Sequence, residues 1–198
     1  MAGFQEKVAT FEHHVSVRQI GIAERLAASF ECGDQNDPLM ESGFVILSAV
    51  MAYFEMIAQA KAGTTSEKQS TSFFLSGFRD VYPNSGFSED QIRTVCGWVR
   101  CGMYHDAMPK FETYLDRNLT AAFQWCNGNL CINPAQLVRD VRKHFTEYVA
   151  VLRASDAATQ ITHQMFVNWF DGSQIPPFPR STTAITTPMG TPAPRIPR

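Results

Sequence analysis

The sequence predicts an all-α fold, a helical bundle of about six helices, and three observations support this. Apolar residues recur at helical spacing over long stretches, and capping residues precede several of them. The composition, 44% apolar and 18% charged, is typical of a globular chain. The 198 residues fit one domain with a tail. We expect residues 1–171 to form the helical domain and residues 172–198 to form a disordered tail rich in proline and threonine.

The helical pattern can be followed along the chain. The second stretch, Leu39–Ala62, is apolar almost all round and should lie centrally in the bundle. The fourth begins at a capping box, Ser88 to Gln91, and ends before Pro109. The other helices are predicted over Phe4–Phe30, Ser70–Val81, Phe111–Trp125, Ala135–Ala154 and Asp156–Phe170.

One short segment favours β structure. The Asn-Gly pair at 127–128 predicts a small β-hairpin near 125–132. A four-residue loop would place Cys126 opposite Cys131, where a disulfide can form, whereas a two-residue turn would offset them. Cys96 and Cys101 are five residues apart, so on an α-helix their side chains diverge by about 140°. We therefore expect reduced thiols and no metal site.

Charge and hydropathy limit the function classes. The first 171 residues contain all 19 acidic and 14 of the 17 basic residues, so their net charge is −5. Any RNA site there must be a local basic patch. The N-terminus lacks a signal-peptide pattern, and the longest apolar run, Phe44–Phe54, is too short to span a bilayer. We expect a cytoplasmic protein without a membrane segment and, since no phosphate-binding motif is present, without a cofactor.

The segment Arg100-Cys-Gly-Met-Tyr-His105 carries the most specific signal. On a helical wheel Arg100 flanks the apolar stripe and His105 falls on the far side, roughly 7.5 Å away along the axis. The two can converge only if Gly102 breaks the helix or if two copies meet across a twofold axis. The alternative is a buried histidine with one hydrogen bond and an arginine in an ion pair.

These residues resemble the HEPN superfamily (higher eukaryote and prokaryote nucleotide-binding domains). Arg100 and His105 match an Arg-x4-His pattern at the end of a bundle helix, and Ala52-Tyr-Phe-Glu55 resembles an apolar-apolar-Glu segment of some bacterial members. Asn133-Pro134 and the apolar positions after it resemble a recurring C-terminal helix of the same group. The resemblance spans roughly residues 4 to 171.

The resemblance implies a metal-independent ribonuclease that acts as a homodimer, with its paired Arg and His motifs lining the interface. His105 would be the acid and base for attack by the RNA 2′-hydroxyl, since imidazole titrates near neutrality. Arg100 would hold the phosphate through its planar guanidinium. Glu55, Cys101 and Tyr104 would be supporting residues, with Glu55 pairing with Arg100. The position of Cys101 is usually Asn, Asp or His in active members, so a catalytically inactive dimer that binds a nucleotide or a protein stays open.

The helix Ala135–Ala154 has a second notable face. Arg139, Arg142 and Lys143 lie opposite its apolar stripe and are candidate RNA-binding residues, although a solvated face has the same pattern. His144, at the edge of the stripe, is interpreted as a hydrogen-bonded core histidine. The favoured function is RNA cleavage by a toxin or defence effector, with RNA and an antitoxin as partners. The third alternative is a scaffold that presents the C-terminal tail.

Overall fold

The fold was analysed on a computed structural model that describes residues 3–110, 112–173 and 175. The described residues form six helices, α1–α6, confirming the predicted mostly helical bundle. Three of these helices, α1, α2 and α4, consist of consecutive segments. The bounds are Phe4–Glu12, His13–Ile20 and Gly21–Cys32 for α1; Gly43–Val50 and Ala52–Ala62 for α2; Ser70–Val81 for α3; Glu89–Val95, Cys96–Cys101 and Gly102–His105 for α4; Pro134–Arg153 for α5; and Gln160–Gly172 for α6. Short 3₁₀ turns at Pro38–Glu41 and Ala157–Thr159 precede α2 and α6.

Side-chain caps begin two of the helices where the sequence predicts them. Ser88 accepts a hydrogen bond from the Gln91 backbone, and the Gln91 side chain accepts one from the Ser88 backbone, which completes the capping box of α4. Asn133, almost fully buried, accepts from the first two free amides of α5. Its side-chain amide donates to the carbonyls of Arg117 and Leu119, so the cap also fixes the preceding loop.

Two helices contain a stretch with the wider π turn, in which the backbone bond spans five residues. These stretches are His13–Ile20 in α1 and Cys96–Cys101 in α4. The wider turn changes which side chains share a face, so the regular wheel used for the sequence does not hold across Cys96–Cys101. Gly102 has helical dihedral angles and α4 continues through it to His105.

A small sheet lies between α4 and α5, with strands β1 (Thr113–Leu115), β2 (Phe123–Cys126) and β3 (Asn129–Ile132) in the order β1-β3-β2. β2 and β3 form the predicted hairpin, and both residues of its Asn-Gly turn have positive φ. The register pairs Cys126 with Asn129 and Cys131 with Gln124, so the two cysteines are offset. All five cysteines are free thiols.

The helix predicted over Phe111–Trp125 is wrong. β1 occupies part of it and pairs in parallel with β3. Asp116 then accepts a hydrogen bond from the backbone of Asn118, a local turn that competes with helix formation. The pairing partner is contributed by a later part of the chain, which a helical pattern in this segment cannot reveal.

The core is rich in aromatic side chains and is built around α2 and α5. Phe54 and Phe78 pack together where α2 meets α3, and Phe11 contacts Phe145 and Trp169 where α1 meets α5 and α6. The prediction that the apolar segment of α2 is too short to span a bilayer is wrong, because the helix continues past Phe54 and Gly43–Ala62 is long and apolar enough to cross a membrane. However, 61% of its most apolar window is buried in the protein. That burial is typical of the central core helix the sequence predicts.

The predicted tail, 172–198, falls largely outside the described residues. Helix α6 extends to Gly172, one residue past the predicted domain boundary. Ile175 is described and packs against the core. Disorder over the rest of the tail stays a prediction.

Candidate functional site

Arg100 projects from the π turn of α4 toward α2 and forms the ion pair predicted with Glu55. Its Nη2 donates to Glu55 Oε2 at 2.7 Å. The Arg100 side chain keeps 28% of its surface exposed, whereas Glu55 as a residue keeps only 8%. Burial alone would lower the pKa of Arg100, but the charge of Glu55 and the neighbouring Cys101 and Cys96 thiols together outweigh it and raise the pKa. Arg100 is therefore a fixed, permanently charged guanidinium with part of its surface open to solvent.

Glu55 is held by three donors from three different parts of the chain. Besides Arg100, the Ser70 hydroxyl at the start of α3 donates to Oε2 at 2.7 Å, and Gln59 donates to Oε1 at 3.2 Å. A buried carboxylate needs such donors to offset its lost hydration. Glu55 thus joins α2, α3 and α4 and sets the position of Arg100.

Tyr104 and His105 lie at the exposed end of α4. Tyr104 is 80% exposed, its ring is 5.2 Å from the His105 ring, and the Arg100 guanidinium carbon is 5.9 Å from its centroid. His105 is exposed as well. Because Gly102 does not break the helix, nothing in the described part of one chain brings His105 into hydrogen-bond contact with Arg100.

Cys101 is half-buried and its thiol contacts the Cys96 thiol. Burial, and secondarily the neighbouring Cys101, raise the pKa of Cys96 to about 12. The π turn explains the contact, since its five-residue hydrogen-bond period brings together side chains that diverge on an α-helix. The predicted divergence of these two side chains is therefore wrong, and Cys101 takes part in a thiol pair beside Arg100.

The surface around this helix end includes exposed apolar side chains. Val45 lies on the first segment of α2, which contacts Gly102–His105 of α4, and Met108 follows that segment in the chain. Both are more than half exposed. Together with Tyr104 they form what we call the α4-end patch: Val45, Tyr104 and Met108.

Two of the three candidate RNA-binding residues on α5 are neutralised by carboxylates of α1. Arg139 pairs with Glu31 at 2.6 Å. Arg142 binds Glu24 with two nitrogens, each at 2.7 Å, and also contacts Ser16 in the π turn of α1. Lys143 is exposed. The paired arginines serve α1–α5 packing, which leaves less positive charge on this face than the sequence suggests.

A second polar cluster, which the sequence analysis did not identify, links α2, α3 and α5. The Tyr53 hydroxyl lies 2.7 Å from His144 Nδ1, and His144 Nε2 lies 3.1 Å from Asp80 Oδ2. Lys61 Nζ contacts the same oxygen at 2.5 Å. Both nitrogens of His144 have partners, which confirms its interpretation as a hydrogen-bonded histidine.

The electrostatics of this cluster follow from burial and pairing. Burial first, and then the charge of Asp80, raise the pKa of Tyr53 well above its ordinary value, so its hydroxyl stays protonated. Burial alone would raise the pKa of Asp80, but hydrogen bonds from His144 and Lys61 outweigh it and lower the pKa to about 2. The sequence does not reveal the cluster, because Tyr53, Lys61, Asp80 and His144 come from three helices and share no local pattern.

Within residues 3–110, 112–173 and 175, no group of three or more histidine, cysteine or acidic side chains could hold a metal ion. No protein-family model, curated protein or solved structure matches the chain. The two polar clusters and the Arg100–His105 segment are therefore the features of the molecule that point to a function.

Proposed function

We propose that this protein is a HEPN-like, metal-independent endoribonuclease whose active site combines Arg100 and His105 from two copies of the chain. The observation that carries the proposal is the environment of Arg100: one guanidinium nitrogen is bound by a buried carboxylate, while 28% of the side chain stays exposed to solvent. Such a group can hold a phosphate without first losing side-chain entropy. His105, exposed at the end of the same helix, is available for proton transfer.

The chemistry assigns one role to each residue. His105 takes the proton from the 2′-hydroxyl as its oxygen attacks phosphorus, and the 5′-oxygen leaves with a proton returned by a histidine. The product is a 2′,3′-cyclic phosphate. Arg100 stabilises the additional negative charge on the phosphate oxygens in the transition state. Glu55 is a positioning residue, because it acts only through Arg100.

A second copy supplies what one chain lacks. Helix α4 runs unbroken through Gly102, so one chain does not bring its own Arg100 and His105 together. The α4-end patch includes Tyr104, whose ring contacts both the His105 ring and the Arg100 guanidinium, and its exposed side chains offer apolar surface for association. A twofold pairing through this patch would set two Arg100–His105 motifs opposite each other.

One observation favours an inactive dimer that binds a nucleotide or a protein. Because residue 101 is a cysteine, it offers no amide or carboxylate to orient a phosphate next to Arg100. Its thiol contacts the Cys96 thiol instead. Binding through Arg100 would survive without an amide or carboxylate there, whereas cleavage would be slower. A toxin or defence role, an antitoxin partner and a cytoplasmic location stay predictions.

The decisive experiment compares RNA cleavage in the presence of EDTA by the full-length protein and by His105→Ala. We expect products with 2′,3′-cyclic phosphate ends and a loss of about 10²- to 10⁴-fold in the variant. His14→Ala, which removes a histidine of α1, is the matched control and should retain activity. Sedimentation of both proteins should show a dimer. Equal cleavage by His105→Ala, or none by the wild type on several RNAs, would leave the binding role as the better account.

A further inference from the structure

Three members of the second polar cluster, Lys61, Asp80 and His144, line a cleft that the proposed ribonuclease site does not use. The cleft has a volume of about 510 Å³, within the usual range for small-ligand sites. Its walls also include Glu147, Tyr148, Val151 and Thr162. The lining residues come from α2, α3, α5 and α6, so the cleft is built on helices of the bundle rather than on loops.

The hydrogen bonds in the cleft have a defined direction. The ionised Asp80 carboxylate can only accept, so His144 Nε2 carries a proton and donates it to Asp80, while the Tyr53 hydroxyl is hydrogen-bonded to His144 Nδ1. Lys61 donates to the same Asp80 oxygen. The imidazole therefore has no free nitrogen, and it acts as a fixed support that orients the Asp80 carboxylate.

Two groups in the cleft retain hydrogen-bonding capacity. Asp80 Oδ1 has no hydrogen-bond partner in the described part of the chain, and Lys61 has protons beyond the one given to Oδ2. Tyr148 also lines the wall, but its hydroxyl is fully buried without a partner among the described residues, so a molecule in the cleft does not reach it.

The charges select the kind of molecule. Asp80 and Glu147 are carboxylates, and Lys61 is the only lysine or arginine among the cleft-lining residues named above, so the lining carries a net charge near −1. A phosphate would be repelled by both carboxylates. The adjacent acceptor and donor, Asp80 Oδ1 and Lys61 Nζ, fit two neighbouring hydroxyl groups, one of which donates to the carboxylate while the other accepts from the ammonium.

We propose that this cleft binds a small uncharged ligand with hydroxyl groups on neighbouring carbons, a class in which sugars are the simplest members. Asp80 and Lys61 bind the hydroxyl pair. Val151 provides apolar contact at the wall. His144 and Tyr53 are positioning residues for Asp80. The proposal does not depend on the ribonuclease assignment.

The test uses a pair of probes that differ by one hydroxyl group. Methyl β-D-ribofuranoside has a single pair of neighbouring hydroxyls, and its 2-deoxy analogue has none. Each is titrated into the full-length protein while the imidazole carbon-bound proton signals of His144, assigned with His144→Gln, are followed by NMR. We expect the riboside to shift these signals with a Kd in the millimolar range. The deoxy analogue should bind at least tenfold more weakly.

Two variants test whether the riboside binds at Asp80 and Lys61. Asp80→Asn and Lys61→Met should each weaken the riboside at least tenfold, and either one suffices if the other does not fold. Asp106→Asn, which alters an exposed Lys–Asp pair outside the cleft, should leave the Kd unchanged.

Three outcomes would overturn the proposal. They are equal binding of the riboside and its deoxy analogue, tighter binding of inorganic phosphate or putrescine, and the lack of any His144 shift at about 50 mM riboside.

Discussion

Glu55 and Asp80 are the two carboxylates that tie α2 to α3, and they use their oxygens differently. Glu55 receives Ser70 and Arg100 on one oxygen and Gln59 on the other. Asp80 receives Lys61 and His144 on the same oxygen. The Glu55 side chain is 11% exposed and the Asp80 side chain 32%.

This difference separates a structural role from a ligand-binding role. Glu55 has both oxygens engaged and is shielded from water, so its main effect is to hold Arg100 in place. Asp80 is hydrogen-bonded to Lys61 and His144 through Oδ2, and its Oδ1 stays available to a ligand. Both carboxylates lie between α2 and α3, but Glu55 positions Arg100, whereas Asp80 is proposed to bind a ligand. The three predictions below test this contrast.

Gly77→Ala should have the largest effect, because it disturbs both clusters at once. A Cβ at Gly77 would lie 1.7 Å from the Phe54 carbonyl oxygen, so α2 and α3 must move apart to accept it. We expect a loss of about 3 kcal/mol or more in the free energy of unfolding, measured by urea denaturation. Gly97→Ala is the control, since a Cβ there meets nothing within 4 Å. Equal stability of the two variants would contradict the close helix approach.

Glu55→Gln tests the carboxylate with both oxygens engaged and should have the next largest effect. The amide preserves shape but leaves Arg100 without its counter-charge, and removing one partner of a buried pair is costly. Because Arg100 is partly exposed, we expect a loss of about 2 kcal/mol in the free energy of unfolding. If the proposed function is correct, RNA cleavage should also fall, with Arg100 present but displaced.

Glu89→Gln is the matched control for Glu55→Gln. It removes an exposed carboxylate that pairs with Arg79 and Arg93, and it should leave both stability and cleavage unchanged. A Glu55→Gln variant as stable as this control would show that the buried pair does not contribute to the fold.

The contrast also explains what could be predicted from the sequence. The Glu55–Arg100 pair was foreseen because the resemblance implies it and because a glutamate buried at the end of an apolar stretch needs a partner. The caps at Ser88 and Asn133 were foreseen for a similar reason, since their partners lie two or three residues away.

The features that were missed depend on distant parts of the chain. The Asp80 cluster joins residues up to 91 positions apart, from Tyr53 to His144, and no local spacing encodes it. Strand β1 was missed because its pairing partner, β3, lies in a later part of the chain. The contact between Cys96 and Cys101 was missed because the π turn has a wider hydrogen-bond period than the α-helix assumed for the helical wheel. Arg139 and Arg142 were candidate RNA-binding residues because their acidic partners, which lie in α1, cannot be identified from the sequence of α5.

Asp80→Asn should have the smallest effect on stability, and one that depends on pH. The Asp80 pKa is lowered from an ordinary 3.8 to about 2, so the folded protein favours the charged form. A lowered folded-state pKa contributes stability that is complete above pH 4 and is lost as the pH falls toward 2. Since the side chain is about one-third exposed, we expect a contribution of about 1 kcal/mol at pH 7, of which about half is lost by pH 3. The difference in the free energy of unfolding between the wild type and Asp80→Asn, measured by urea denaturation, should therefore decrease from pH 7 to pH 3.

Asp106→Asn supplies the comparison for this pH series, because it removes a carboxylate from an exposed pair with Lys110. It should match the wild type at both pH values, since exposed pairs contribute little. A gap for Asp80→Asn that stays constant from pH 7 to pH 3 would mean that the carboxylate charge is not what Lys61 and His144 stabilise. In that case the contacts of Asp80 Oδ2 with Lys61 and His144 would contribute to stability independently of the carboxylate charge.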